Sequence, residues 1–143
     1  MKKFILIISI FIIGTATLLA EIAPEEYLRM QQQAPEHIII NVLKVSTRRF
    51  LFSRTINLTV QAEVESVVTS ATNLSPGDRI TITYTHYKPK KGVAGPRPIP
   101  ILKKGTTTDA FLAFDQQETS YLPAARGASF EPLLTWKITE EFL

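Results

Sequence analysis

The stretch from Thr55 to Tyr87, TINLTVQAEVESVVTSATNLSPGDRITITYTHY, sets the strongest limit on what this chain can fold into. Ile56, Leu58, Val60, Ala62 and Val64 share one parity, and Asn57, Thr59, Gln61, Glu63 and Glu65 take the other. Period-two alternation of this length predicts a strand with one buried and one wet face. The parity slips at Val67, which predicts a bulge or bend near Ser66, the device by which a curled sheet turns a corner. Leu74-Ser75-Pro76-Gly77-Asp78 is turn chemistry, since proline presets φ and glycine accepts φ > 0. Ile80, Ile82 and Tyr84 then alternate with Thr81, Thr83 and Thr85, β-branched residues suited to an exposed strand face. A long bent strand paired with its neighbour predicts a mainly β protein built as a small closed barrel.

The flanking segments fit one domain of 143 residues. Lys2-Lys3, the apolar run Phe4 to Ile13 and the small residue Ala20 have the pattern of a secretory signal peptide over residues 1–20. The uncharged run from Phe4 to Ala20 is 17 residues, at the lower edge for an uncleaved membrane anchor. The expected localisation is therefore periplasmic or secreted. Without Lys2 and Lys3, fourteen basic residues face thirteen acidic ones, a net charge of about +1. That balance argues against nucleic acid as a partner. The chain has no cysteine, which removes thiol nucleophiles, iron–sulfur clusters and disulfides from consideration.

Residues 21–36 read as a short N-terminal helix or a mobile segment. Pro24 stands in the first turn with Glu25 and Glu26 behind it, Tyr27, Met30 and Gln31 face one way, and Pro35 ends the element. The barrel domain is expected over residues 37–143. His37 to Ser46 is its first strand, with Ile38, Ile39 and Ile40 suggesting burial on both faces. Within Arg48 to Arg54 (RRFLFSR), alternation assigns Phe50 and Phe52 to the core with the arginines solvated. The competing reading is a binding rim with the two phenylalanines as stacking platforms. Gly105 to Phe114 is another strand, Asp115 to Ser120 a polar turn, and Tyr121 to Phe130 a small-residue loop lying close against a barrel end or a ligand. Thr135 to Phe142 ends the chain as a strand or short helix, with Trp136 and Ile138 entering the core.

Lys88 to Lys104 (KPKKGVAGPRPIPILKK) carries six basic residues, no acidic ones and four prolines. It is excluded from a central strand and expected as a long Pro-rich crossover, extended near Arg97-Pro98-Ile99-Pro100. A basic loop of this kind suits an acidic protein, a polyanionic glycan or a lipid headgroup.

The order of these parts resembles the netrin-like or TIMP-like version of the OB barrel. The resemblance runs from His37 to Phe130. It is carried by the long bent strand, the Leu74-x-Pro76-Gly77-Asp78 turn, Ile80-Thr81-Ile82, the Pro-rich crossover, and Leu102-Lys103-Lys104-Gly105 ahead of Ala110-Phe111-Leu112. It implies a five-stranded barrel scaffold and protein binding. Extracellular members of that family are cross-linked by cysteines, and its protease inhibitors use an N-terminal cysteine. This chain has neither, so those roles do not transfer.

No catalytic constellation is visible. The serines lack a G-x-S-x-G elbow, and Gly92-x-x-Gly95 opens no phosphate-binding helix. Asp78, Asp109 and Asp115 are assigned to turns, Asp78 as a local backbone acceptor. Glu63 and Glu65 are assigned to an exposed strand face. His37 and His86 lack local metal-site spacing and would form a metal pair only if two strand ends met. No metal or other cofactor is expected. The resulting expectation is a non-catalytic binding module, its partner a protein or envelope polyanion met by Lys88, Lys90, Lys91, Arg97, Tyr121 and Arg126. Two alternatives are a small metal-dependent hydrolase using His37 and His86, and an envelope assembly factor pairing through a strand edge.

Overall fold

The computed structural model describes residues 22–134. Residues 1–20, expected as a signal peptide, and the closing segment with Trp136 and Ile138 lie outside the described residues.

Among the described residues one helix, α1 (Pro24–Gln33), precedes five strands: β1 (Glu36–Arg49), β2 (Thr55–Ser70), β3 (Arg79–Tyr87), β4 (Thr107–Asp115) and β5 (Ser120–Pro123). A 3-10 turn, Arg126–Ala128, follows. The strands close into a barrel in the order β1-β2-β3-β5-β4, with β4 returning to β1. The β3–β5 contact is parallel and consists of one register pair, Ile82 with Tyr121; the other ladders are antiparallel. This is the expected mainly β, five-stranded, OB-like barrel with one short helix.

Alternation in β2 does what period two dictates. Ile56, Leu58, Val60, Ala62 and Val64 are all buried in the barrel core, beside Ile38, Ile40 and Val42 from β1 and Ile80, Ile82 and Tyr84 from β3. The β1–β2 register shifts at three points, skipping Val68 and Glu65 on β2 and Leu43 on β1. Two of these bulges flank Ser66, and they return Val67 to the core side while leaving Val68 exposed. The β2–β3 turn is held as its composition requires. Gly77 has φ +93, the Ser75 N–H donates to Asp78 Oδ2 at 2.8 Å, and Gly77 and Asp78 exchange backbone bonds with Val64.

A second, smaller core lies outside the barrel wall. Phe111 on β4 points away from Ala110 and Leu112 and meets Tyr27, Ala125, Ala128 and Leu134. Pro24 starts α1 where its missing N–H costs nothing, and Tyr27 and Gln31, one turn apart, are its buried residues. The buried Gln31 ties the segment after β5 to the helix: its amide donates to Ala128 O at 2.9 Å and its carbonyl accepts from Leu134 N at 3.0 Å.

Several expectations need correction. Ile38 and Ile40 are fully buried, but Ile39 is only half-buried on the outer side of β1. Asp109 sits inside β4 opposite Ile39 rather than in a turn. The fifth strand is Ser120–Pro123, the beginning of the stretch expected as a loop. At four residues it is too short for its alternation to be read. The remainder, Ala125 to Phe130, does lie close against its surroundings as its small residues suggest, with Ala125 and Gly127 to Phe130 buried.

Candidate functional site

β1 and β2 pair as far as Arg49 with Ile56, and residues 50–54 form the tip that joins them. Phe50 and Phe52 share the parity of Ile56 and Leu58, so alternation carries them into the core. The structure overturns that reading. Phe50 is 52% exposed, Leu51 90% and Phe52 105%, the last with φ +64. The chain reverses here, so the parity count of β2 does not extend across the turn. The tip is internally bonded. Ser53 N donates to Phe50 O at 3.1 Å, Thr55 N donates to Ser53 Oγ at 3.1 Å, and the two hydroxyls lie 2.6 Å apart. The Arg48 guanidinium stands 5.0 Å from the centre of the Phe50 ring.

The Pro-rich crossover starts beside this tip. Thr55 pairs with Tyr87, and Lys88 N donates to Arg54 O at 3.0 Å. Arg54, Lys88, Pro89, Lys90 and Lys91 line a shallow depression of about 440 Å³. A second depression of about 470 Å³ lies between the limbs of the crossover, from Tyr87, Pro89 and Lys90 on one side to Val93 through Pro98 on the other. Residues 88–96 are exposed. Beyond them the crossover is fastened to the barrel. His86 Nδ1–H donates to Ile99 O at 2.7 Å, Tyr84 OH donates to Pro100 O at 2.8 Å, and Leu102 is buried.

The tip and the first half of the crossover form one end of the barrel, and the charges that these segments bring to it are of one sign. No aspartate or glutamate occurs in residues 44–62 or 79–108, whereas Arg48, Arg49, Arg54, Lys88, Lys90 and Lys91 cluster there. These cations gain little from one another and are positioned to attract an anion.

The six residues singled out in the sequence separate into two groups. Lys88, Lys90 and Lys91 come together with Arg54 in the depression. Tyr121 and Arg126 lie apart from it, and Arg97 borders only the second depression, across from Lys90. Arg97 is turned onto the barrel flank: its N–H donates to Tyr27 OH at 2.9 Å, its guanidinium covers the Tyr27 ring at 4.6 Å, and Nη1 reaches Glu131 at 2.9 Å. Tyr121 is buried in the core, with its hydroxyl 2.8 Å from Thr72 Oγ1 and its ring 5.0 Å from Phe114. Arg126 is exposed, but in the 3-10 turn beneath α1. Sequence reasoning preferred the core for Phe50 and Phe52 and kept a binding rim as the competing reading; the exposed tip agrees with the second in placing both rings outside the core. The available signal was a basic pair before the run and Ser53-Arg54 after it, a polar frame ill-suited to a core strand.

The histidines do not meet. His37 opens β1, stacks on Phe111 at 4.2 Å and lies 2.9 Å from Asp109 Oδ1. His86 stands opposite Ile56, which pairs with Arg49 at the other end of β1. Among the described residues no group of three or more histidine, aspartate or glutamate side chains could hold a metal ion. Glu63 and Glu65 are engaged separately, Glu63 3.8 Å from Arg79 and Glu65 accepting from Thr107 Oγ1 at 3.1 Å.

No protein-family model, curated protein or solved structure matches the chain.

Proposed function

We propose that this is an exported, non-catalytic binding module that meets a polyanionic partner at the tip end of its barrel. The observation that carries this reading is the convergence of Arg54, Lys88, Lys90 and Lys91 on one open depression, where the stretches 44–62 and 79–108 contain no acidic residue. Cations packed without counter-charges raise the local concentration of an anionic partner and speed its capture. The rigid barrel behind them fixes their spacing. The N-terminal pattern of residues 1–20 supports export. A closed five-stranded barrel is the scaffold that the resemblance to netrin-like modules implies, and the reading takes from that resemblance binding and no catalytic role.

The reading is tested by titrating a fluorescent heparin oligosaccharide with the natural chain and with Lys88→Glu/Lys90→Glu/Lys91→Glu at rising salt. The natural chain is expected to bind with an affinity that falls as salt increases, and the reversed variant to lose that binding while keeping its melting transition. Equal binding by both chains at low salt would remove the crossover from the contact.

A further inference from the structure

We infer that the anionic partner is a lipid bilayer surface, with Phe50, Leu51 and Phe52 entering its interfacial region; this rests on the polyanion reading above and gives it a specific occupant. Three consecutive large apolar side chains stand at the convex tip of a hairpin, and nothing among the described residues covers Leu51 or Phe52. A projecting tip of this shape suits a soft apolar medium. A protein partner would instead need a pocket shaped to receive it.

The surroundings match that medium in two independent ways. First, the cations are arranged as a collar: Arg48 and Arg49 approach the tip on β1, Arg54 leaves it, and Lys88, Lys90 and Lys91 lie alongside. Basic side chains behind an apolar tip meet anionic headgroups while the tip enters the boundary with the acyl chains. Half-exposed Tyr87, paired with Thr55 at the base of the tip, has the amphipathic ring favoured at that depth. Second, backbone polar groups are costly in an apolar medium unless bonded. The tip meets part of that need itself: Phe50 O accepts from Ser53 N, and Ser53 Oγ accepts from Thr55 N.

The chain contains no cysteine, so one introduced thiol reports one place. The experiment uses the full chain as Leu51→Cys, labelled with the environment-sensitive dye NBD, and as Gln117→Cys, labelled alike on the turn between β4 and β5 at the far end of the barrel. Each is mixed with vesicles of pure phosphatidylcholine or of phosphatidylcholine with phosphatidylglycerol. The inference expects blue-shifted, brighter emission at position 51 with the anionic vesicles only, and no change at position 117. Each cation near the surface contributes about fivefold in affinity, so reversal of Lys88, Lys90 and Lys91 should weaken the response on the order of 100-fold or more.

An equal change at positions 51 and 117, or with neutral vesicles, would overturn the inference, since the apolar residues 4–20 could then account for adsorption. No change at position 51 while heparin still binds through the lysines would overturn the bilayer and leave the polyanion reading standing. Failure of both vesicles and heparin would overturn both. Cross-linking of position 51 to a protein without a spectral shift would assign the tip to a protein partner and overturn the inference.

Discussion

Gly127 lies directly against Arg97: a Cβ built at position 127 would stand 2.6 Å from both the Cβ and the carbonyl oxygen of Arg97. The fastened half of the crossover can reach the barrel flank only because position 127 has no side chain. Gly127→Ala is therefore expected to destabilise by about 1–3 kcal/mol, the usual cost of forcing atoms into a filled site, because backbone as well as side chain must move. Urea unfolding measures it. An unchanged midpoint would show that the crossover shifts without cost.

Arg97 should behave as a structural residue, unlike the lysines nine and fewer positions before it. It covers Tyr27 and pairs with Glu131 in a partly buried setting. Arg97→Ala is expected to lower stability by about 1–2 kcal/mol and to leave heparin affinity within a few-fold of the natural chain. Tyr27→Phe should cost about 1 kcal/mol, because Arg97 N–H loses its acceptor. A large loss of heparin binding in Arg97→Ala with stability unchanged would reverse this assignment.

Tyr84 gives the fold an alkaline limit. Burial pushes its phenol above the usual value of 10.0, and the N–H of Leu102, donating to the phenolic oxygen, offsets part of that shift. The unfolded chain then releases this proton at lower pH than the folded chain. Its contribution to stability is complete below about pH 10 and is lost as pH rises through the higher folded value. Tyr84→Phe is expected to cost about 1–3 kcal/mol at neutral pH, by stranding Pro100 O and Leu102 N–H, and to make the alkaline decline of stability shallower. Denaturation curves at neutral pH and above pH 10 check both parts. An equally steep decline in the variant would place the alkaline limit elsewhere.

Phe52 holds a left-handed backbone angle, φ +64, while its side chain is wholly exposed. Left-handed geometry costs a non-glycine residue about 1–2 kcal/mol, and glycine gives back part of that in chain entropy. Phe52→Gly is therefore expected to raise stability by about 0.5–1 kcal/mol and to weaken binding to anionic vesicles. Thermal unfolding and vesicle sedimentation, run on the same preparation, test the pair of effects. A variant that gains stability and binds unchanged would mean that this ring takes no part in binding.

Much of the scaffold was legible because its signals are local. Ile56 to Val64 alternate over nine residues, Pro76-Gly77-Asp78 names its own turn, and Pro24 and Pro35 bracket the helix. Lys88, Lys90 and Lys91 were legible as a basic group for the same reason. What escaped depended on contacts between distant parts of the chain. Tyr121 is buried because a four-residue strand crosses to Ile82 by a single register pair, which no periodicity announces. Arg97 is turned inward by Tyr27 and Glu131, which lie 70 and 34 residues away. Phe50 and Phe52 misled because a parity rule valid inside a strand was carried across a reversal of the chain.

The single parallel pair between Ile82 and Tyr121 has a kinetic consequence. Every other seam of the barrel is a run of paired residues, but β3 and β5 meet at one position, with the hydroxyls of Thr83 and Ser120 2.9 Å apart beside it. The β1–β4 ladder closes a longer stretch of chain, from Glu36 to Leu112, but holds it with a run of six pairs where the β3–β5 seam has one. In the native state the seam is where the cylinder is expected to open, and the amides of β5 are expected to exchange with solvent before those of β2.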